Sequence, residues 1–278
     1  MYNARIDTSG GKSAYFGFEY GSIFDIDPLS GIDVTLSTSQ AYQQMGETVE
    51  TQTVKGINRT IKGVLLNETA ARNLVDALPP LVSGKLYFLK SGQVPYFCNI
   101  VIKKAPKVHK DSNGKMSFTM AVFCPDPFWY VDSLTTEEIT RYESTFSYAT
   151  MLDSHTFGTV SSGSYVVMQN RGAVDASFTA VFTTLSTTSN FSITNTLTGE
   201  VLKVNNSLER GDIIRVFHEN GRIRITKNDQ NIYASLDDDS TMFWLHPGDN
   251  IIEKDADVGV DALQVKISFN TPYMGVLA

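Results

Sequence analysis

Cysteine is scarce in this sequence: its 278 residues contain two, Cys98 and Cys124, and both lie in apolar runs. Two cysteines cannot supply a disulfide framework, so a hydrophobic core has to hold the fold. A pair of reduced, buried thiols is the simplest interpretation. A disulfide would need the two α-carbons within about 7 Å, which a sequence does not show. A catalytic thiol would need a histidine, and none lies within ten residues of either cysteine.

Long apolar runs are also missing. No stretch approaches the roughly 18 residues that a membrane-spanning helix needs, and residues 1–13 lack the apolar core of a secretory signal. We therefore expect no membrane insertion, and we expect synthesis in the host cytoplasm with release by assembly or lysis. The 42% hydrophobic and 19% charged residues are typical of a folded protein, not of a disordered chain.

Catalytic motifs are absent as well. The chain has four histidines, none at the spacing of a metal-binding pair: His109, His155, His218 and His246. His218 precedes Glu219 at a predicted hairpin tip, which favours an exposed side chain. No GxSxG, HExxH, CxxC or Walker-type loop occurs. A glycosidase would need two carboxylates across a cleft, and no particular pair is favoured. We predict no enzyme activity, no catalytic residue and no cofactor.

Positive charge is lacking in the second half of the chain. Residues 1–132 contain 13 Lys/Arg and 12 Asp/Glu, whereas residues 133–278 contain 10 and 18. This asymmetry indicates two domains with different surroundings. A duplex-binding domain needs a basic face, so we expect no sequence-specific nucleic-acid binding. A cluster of four lysines between Lys103 and Lys110 is interrupted by Pro106 and is typical of a solvated strand end.

The first 132 residues are predicted to form a β-sandwich-like domain with one helix. Alternating runs predict strands at residues 34–38, 60–64, 85–90, 96–103 and 116–124. Asn67 can cap a helix whose apolar stripe consists of Ala70, Ala71, Leu74, Val75 and Leu78. Pro79 and Pro80 end that helix. Asn113-Gly114 predicts a hairpin turn.

The rest of the chain is predicted to contain a connection and a second β domain. Residues 133–163 are polar and weakly periodic, and we interpret them as a connecting segment with some strand character near 145–151. Residues 164–278 carry eight or nine short strands at regular spacing. Such spacing is typical of a sandwich or jelly roll.

Two acidic clusters are candidate calcium sites. One is the adjacent trio Asp237, Asp238 and Asp239, where like charges repel unless screened. The other contains Asp255, Asp257 and Asp261, but Val260 and Lys266 stand where a calcium loop has its turning glycine and its closing acid. Solvated loops are the default interpretation, and we predict no metal site.

One aromatic segment is the main candidate for a binding or structural role: Cys124, Pro125, Asp126, Pro127, Phe128, Trp129 and Tyr130. Three consecutive aromatic side chains could form a platform for stacking sugars. The alternative is structural: the prolines end a strand by removing hydrogen-bond donors, and the aromatic rings then pack at the edge of a sheet. We favour packing.

This segment resembles the close of the N-terminal domain in siphophage distal tail (Dit) proteins. The run Val54–Val64 resembles the family's strand before the helix, and a helix from Asn67 to Leu78 follows in the expected place. In the second half, Asn170-Arg171-Gly172, Ile193-Thr194-Asn195, Gly211-Asp212-Ile213-Ile214 and the run from Trp244 to Ile251 resemble the family's galectin-like sandwich. The order and spacing of these motifs hold over nearly the whole chain.

The resemblance implies a structural component of the phage tail tip, or baseplate, in the virion. Residues 1–132 would form a homo-hexameric ring around a channel for DNA, between the tail tube protein and a tail-tip hub protein. The galectin-like domain, residues 164–278, would project outward, where receptor-binding proteins attach in some baseplates. This sequence has no large insertion there for such attachment.

Two other functions stay open at this level. A carbohydrate-binding module would use an exposed aromatic side chain such as Trp244, although the acid that the galectin signature places three residues later is missing. A cell-wall hydrolase would require a pair of essential acids, and no sequence feature supports one. Unlike the assembly role, both of these functions require a binding site for a small molecule or a polymer.

Overall fold

The structure is a computed structural model that describes residues 2–90, 94–139, 141–143, 159–161, 164–219, 222–241 and 243–276. It divides the chain into two compact units, the first comprising Met1–Ser133 and Pro272–Ala278 and the second Leu134–Thr271. The first unit begins with β1 (Tyr2–Thr8), β2 (Ser13–Phe16), β3 (Ser22–Asp27), β4 (Val34–Ser39), β5 (Thr48–Val54) and β6 (Ile57–Leu65). It continues with α1 (Glu68–Ala77), β7 (Ser83–Lys90), β8 (Tyr96–Lys110), β9 (Met116–Cys124) and β10 (Trp129–Val131).

The second unit consists of strands. They are β11 (Thr135–Glu138), β12 (Arg141–Glu143), β13 (Thr159–Ser161), β14 (Tyr165–Asn170), β15 (Phe178–Thr184) and β16 (Thr188–Asn195). Then follow β17 (Glu200–Leu208), β18 (Ile214–Glu219), β19 (Arg222–Lys227), β20 (Gln230–Asn231), β21 (Gly248–Val258) and β22 (Leu263–Phe269). The last strand, β23 (Pro272–Tyr273), belongs to the first unit.

A nine-stranded antiparallel sheet forms the body of the first unit. Seven strands follow the order β2-β1-β7-β8-β9-β6-β3, and β10 pairs with both β8 and β23. Alternate residues of the central strands are buried, as the period of two in the sequence predicts. The hairpin between β8 and β9 turns at Gly114, where the Asp111 carboxylate accepts hydrogen bonds from the backbone N–H groups of Asn113 and Lys115.

The helix α1 covers one part of this sheet. Its first turn is capped by Asn67, whose side-chain oxygen accepts a 2.7 Å hydrogen bond from the Ala70 N–H, as predicted. Leu74 and Ala77 are buried on the core side. Val75, which the sequence placed in the apolar stripe, is 46% exposed, so the buried stripe is narrower than predicted. No helix in the described part of the chain is long and apolar enough to span a bilayer.

β4 and β5 form a separate two-stranded hairpin outside the large sheet. They lie between β3 and β6 in the sequence, and these two strands pair with each other from Ser22–Leu65 to Asp27–Thr60. β4 and β5 then pair with each other, also antiparallel, from Val34–Val54 to Ser39–Thr48. Every residue of β4 and β5 is exposed.

The second unit is a two-sheet sandwich. One sheet has the order β11-β22-β15-β18-β19-β20, and the other has the order β14-β21-β16-β17. Their inner faces share one core, in which Phe182 of β15 and Phe191 of β16 lie with ring centroids 4.8 Å apart. The predicted fold class is confirmed: the chain is mainly β, with a helix in the first unit and a sandwich in the second.

The ends of the predicted second domain differ from the structure. The predicted connection began at residue 133, but β11 pairs with β22 inside the sandwich and Ile139 is buried in its core. Residues 272–278 were predicted to belong to the second domain, yet β23 pairs with β10 of the first unit. Most of the predicted connection, including residues 145–151, lies outside the described residues.

Candidate functional site

The segment Cys124–Tyr130 links two strands of the first unit. Cys124 ends β9, and Trp129 begins β10 after a turn that contains both prolines. In β10, Tyr130 lies opposite Phe97 of β8 and Trp129 lies opposite Tyr273 of β23. The segment thus brings the chain's last strand into the sheet of the first unit.

Trp129 lies in the core of the first unit. The side chain is fully buried, and its indole N–H donates a 2.9 Å hydrogen bond to the Leu29 carbonyl. The Phe88 ring meets it edge-on, with centroids 6.4 Å apart. A ring covered in this way has no face available to a sugar, so Trp129 does not form part of the stacking platform, which was the less favoured interpretation of this segment.

A buried arginine of β6, the strand that follows the β4–β5 hairpin, packs on this tryptophan. Arg59 of β6 is 1% exposed, and its guanidinium carbon lies 4.8 Å from the centroid of the Trp129 ring. One Nη donates a 2.9 Å hydrogen bond to the Pro127 carbonyl, and the other donates to the Pro28 carbonyl. The carbonyl dipoles and the π face stabilise the charge where water is excluded.

Asp126 and Tyr130 fix the turn between the two strands. The Tyr130 hydroxyl donates a 2.5 Å hydrogen bond to one Asp126 oxygen, and the Phe128 N–H donates to the other at 3.3 Å. Burial raises the pKa of the Asp126 carboxyl, and burial also raises the pKa of the Tyr130 hydroxyl. The pair closes the turn on itself, and both side chains are half-buried.

The two cysteines are free thiols in this core. Their sulfur atoms lie 3.9 Å apart, on β8 and β9, and both side chains are fully buried. Burial raises the pKa of the Cys98 thiol well above its usual range. A protonated, buried thiol is a poor nucleophile.

His218 and Trp244 form a stacked pair in the second unit. Their ring centroids lie 4.4 Å apart, and the edge of the Phe178 ring contacts the imidazole from another side. The expectation that His218 is exposed is therefore wrong; burial lowers its pKa. The imidazole covers one face of Trp244, and the side chain is only partly exposed, whereas the carbohydrate-binding alternative expected an exposed aromatic residue.

His246 bridges two carboxylates at one end of the same sandwich. Its Nδ1 lies 2.9 Å from an oxygen of Asp175 and its Nε2 lies 3.3 Å from an oxygen of Glu200. The hydrogen bond with Asp175 is the main cause that raises the pKa of His246. The bridge ties the turn before β15 to the start of β17.

The two acidic clusters engage neighbouring groups of the chain itself. Asp237 accepts hydrogen bonds from Asn205 and from the Asp239 backbone, and Asp257 accepts one from Asn190. In the part of the chain that is described, no three His, Cys, Asp or Glu side chains gather closely enough to hold a metal ion.

One known family matches the second unit. The family described as "Siphovirus-type tail component, C-terminal domain" matches residues 171–273, which lie almost entirely in the sandwich of the second unit. The second unit thus carries a domain of the siphovirus-type tail component family. The resemblance drawn from the sequence motifs is thereby confirmed.

Solved structures share the fold of this chain over nearly its whole length. The crystal structure of the Dit protein of phage SPP1 matches with a TM-score of 0.67, covering 98% of this chain and 99% of that chain at 12% identity. Chains of the phage P2 baseplate in its activated conformation, with Ca and with Sr, each match with a TM-score of 0.47 at 10% identity, covering 96% of this chain and 98% of theirs. No curated protein matches the sequence.

Arg59 is the residue of this site that sequence reasoning missed. It lies within the run Val54–Val64, which was noted for its resemblance to the family but not for any charge in it. An arginine in a strand of alternating pattern, at a position facing the core, is the signal that could have identified it, because such a charge needs buried partners.

Proposed function

We propose that this chain is a ring component of a phage tail tip, which joins the tail tube to a hub protein. The fold shared over 98% of the chain with SPP1 Dit carries this proposal, together with the family match of the second unit. SPP1 Dit is described as a paradigm of the hub adsorption apparatus in phages that infect Gram-positive bacteria. A tail-tip hub has to connect several partners, which is a structural task and needs no catalysis.

In this proposal the two units have separate tasks. The first unit forms a homo-hexameric ring around a channel, with the tail tube protein on one face and the hub protein on the other. DNA would pass through the channel without sequence recognition. The second unit offers the surface for receptor-binding proteins. The location would be the tail tip of the virion, after synthesis in the host cytoplasm.

The segment Cys124–Tyr130 has a structural role in the ring-forming unit under this proposal. It anchors β10 and β23 to the sheet. Trp129 of this segment donates a hydrogen bond to the Leu29 carbonyl, and Arg59, which packs on Trp129, donates one to the Pro28 carbonyl. Pro28 and Leu29 precede the hairpin of β4 and β5. A rigid base for a projecting hairpin is what an assembly surface requires, since disorder there would raise the entropic cost of association.

Mass and particle shape test the proposal. Purified full-length chain should give a species of about 184 kDa by light scattering, six times the 30.7 kDa of one chain. Negative-stain electron microscopy should show rings with six-fold symmetry. A chain that stays monomeric at every concentration, and that also fails to cap purified tail tubes, would contradict the proposal.

A further inference from the structure

Cys98 and Cys124 place two sulfur atoms side by side in the core of the first unit. The sulfur atoms lie 3.9 Å apart, and both side chains are 0% exposed. The two residues lie on the neighbouring strands β8 and β9, 26 positions apart in the sequence. Formation of the β8–β9 hairpin therefore brings the two thiols together. Apolar packing alone has no need of two adjoining sulfur atoms, so the pair is a candidate for a chemical role.

A disulfide fits the positions of these two cysteines poorly. Val101 of β8 pairs with Phe123 of β9, and one further step along this register places Ile100, not Cys98, opposite Cys124. The two cysteines are therefore diagonal neighbours, whose Cβ atoms are farther apart than the roughly 3.5–4.5 Å that a disulfide requires. Bond formation would also have to shorten the 3.9 Å between the sulfur atoms to about 2.0 Å.

A metal ion held between the two sulfur atoms fits the same positions better. Metal–thiolate bonds are about 2.3 Å long, so an ion in line between two sulfur atoms needs them about 4.6 Å apart. The observed 3.9 Å falls short of this span by about 0.7 Å, whereas a disulfide would require a closure of about 1.9 Å. A bent arrangement of sulfur, metal and sulfur reduces the required movement further.

The buried charge of Arg59 favours an anionic group at these sulfur atoms. Its two Nη atoms donate hydrogen bonds to the carbonyls of Pro28 and Pro127, whereas its buried Nε–H has no hydrogen-bond partner among the described residues. The same guanidinium interacts electrostatically with both thiols. A buried cation with an unused donor is costly unless negative charge lies nearby. Two thiolates around one monovalent cation supply that charge.

We propose that Cys98 and Cys124 bind one soft monovalent metal ion of the class of Cu(I). Both thiols lose their protons to solvent, and the complex of Cu(I) with two thiolates carries a single negative charge. The single positive charge of Arg59 balances it, so the buried group is neutral as a whole. Soft thiolate ligands suit Cu(I) and zinc. Zinc needs four ligands, and in the described part of the chain no third His, Cys, Asp or Glu joins this pair.

The position of the site couples metal binding to folding. Both ligands are fully buried, so the ion enters while the β8–β9 hairpin forms and is then enclosed by the core. The bound ion joins β8 to the end of β9, directly before the turn that Arg59 holds through Pro127. Binding to the folded state stabilises the first unit. This inference does not depend on the ring proposed above.

Refolding of the full-length chain with Cu(I) tests the site. The chain is unfolded in urea without oxygen, refolded with an equimolar Cu(I)–acetonitrile complex and desalted, and its copper is measured by mass spectrometry. We expect about one copper ion per chain in the wild type, and fewer than about 0.2 when Cys98 and Cys124 are both alanine. Adding Ser112→Cys to that double variant restores one exposed thiol, and this control should also lose its copper on desalting.

Two further measurements do not rely on the folding of the alanine variants. X-ray absorption at the copper edge of the wild type should show two sulfur neighbours and no nitrogen neighbour. Competition with a Cu(I) chelator should show at least about tenfold weaker binding in Arg59→Met and less than about twofold weaker binding in Arg72→Met.

Three results would overturn the inference. Copper that is lost from the wild type on desalting shows that the pair does not hold the ion. Equal retention by the double alanine variant, or nitrogen neighbours around the copper, shows that the ion binds elsewhere on the chain. Equal affinities of the Arg59 and Arg72 variants would remove the charge balance on which the assignment rests.

Discussion

The guanidinium of Arg59 lies over the indole ring of Trp129, and both groups donate hydrogen bonds to carbonyls of neighbouring residues, Pro28 and Leu29. Arg59 also holds Pro127 in the turn before β10. The buried guanidinium of Arg59 therefore links β6 to the turn before β10 and to the segment that leads into the β4–β5 hairpin. Carbonyl oxygens and the face of the Trp129 ring stabilise the positive charge of Arg59. In the described part of the chain, no carboxylate forms a hydrogen bond with this guanidinium.

Replacing Arg59 by methionine should destabilise the first unit by about 3 kcal/mol. The apolar substitute fills similar space but leaves the buried carbonyls of Pro28 and Pro127 without donors, and each such loss costs about 1–3 kcal/mol. Urea unfolding followed by Trp129 fluorescence measures the effect. A Trp244→Phe background removes the other tryptophan, so the signal reports on the first unit.

The matched control for that substitution is Arg72→Met. Arg72 is an exposed residue of α1, and loss of a surface charge usually changes stability by less than about 0.5 kcal/mol. Equal stabilities for the Arg59 and Arg72 variants would show that the contact over Trp129 does not stabilise the fold.

The thiols of Cys98 and Cys124 should be inert to Ellman's reagent in the folded chain. Both are fully buried, and the raised pKa of Cys98 keeps that thiol protonated. We expect two thiols per chain to react in denaturant, and almost none to react within minutes in native buffer. Ser112→Cys adds a thiol in the exposed turn between β8 and β9, and this one should react at once. Rapid labelling of the wild type would show that the core opens at low free-energy cost.

Sequence patterns predicted the local structure of this chain well. Alternation identified β4 and β9 alike, and the sequence around Asn67 fixed the start of α1 because capping depends on neighbouring residues. Alternation does not show whether an apolar face is covered by the same chain, so the buried β9 and the uncovered β4 looked equivalent. Only the three-dimensional structure distinguishes them.

The candidate site was predicted only in part for a similar reason. The packing role favoured for Cys124–Tyr130 agrees with the buried Trp129, since prolines and aromatic residues carry a local signal. The partner Arg59 lies 70 positions before Trp129 in the sequence, and no local rule joins two residues so far apart. The stacking of His218 on Trp244 escaped prediction in the same way, because it joins separate segments of the sandwich.

His246 should stabilise the second unit more at acidic than at alkaline pH. Its pKa is raised, mainly by the hydrogen bond with Asp175, so the folded state binds the proton more tightly than the unfolded state does. This contribution is fully present below the ordinary value near 6.5 and is lost as the pH rises through the raised value. The side chain is 40% exposed, and solvent screening limits the effect to about 0.5–1 kcal/mol.

Comparison with His246→Gln measures that difference. The wild type should exceed the variant in unfolding free energy at about pH 5.5, and the two should converge near pH 8.5. His218 titrates with the opposite sign because its pKa is lowered, but it is present in both proteins and cancels. A gap between the two proteins that widens with rising pH would contradict the assignment.

Replacing Lys254 by methionine should leave the second unit equally stable or make it more stable. Lys254 of β21 is 3% exposed, and its ammonium donates a hydrogen bond to the Leu263 carbonyl. Burial lowers the pKa of Lys254, which means that the folded state disfavours the charged form, although Asp261 opposes this effect. Apolar residues that replace buried charged groups of similar volume are often neutral or stabilising, by about 1–4 kcal/mol.

The pH dependence of this effect has a defined sign. Since the folded pKa is lowered, the cost of the buried ammonium is largest at neutral pH and declines as the pH rises through the folded value towards the ordinary 10.5. The advantage of methionine should decline in parallel, as measured by hydrogen exchange of the β22 amides. Lys266→Met, which removes an exposed ammonium from β22, is the control and should change exchange little. A large loss of protection in Lys254→Met at neutral pH would instead show that the hydrogen bond to Leu263 outweighs the desolvation of the ammonium.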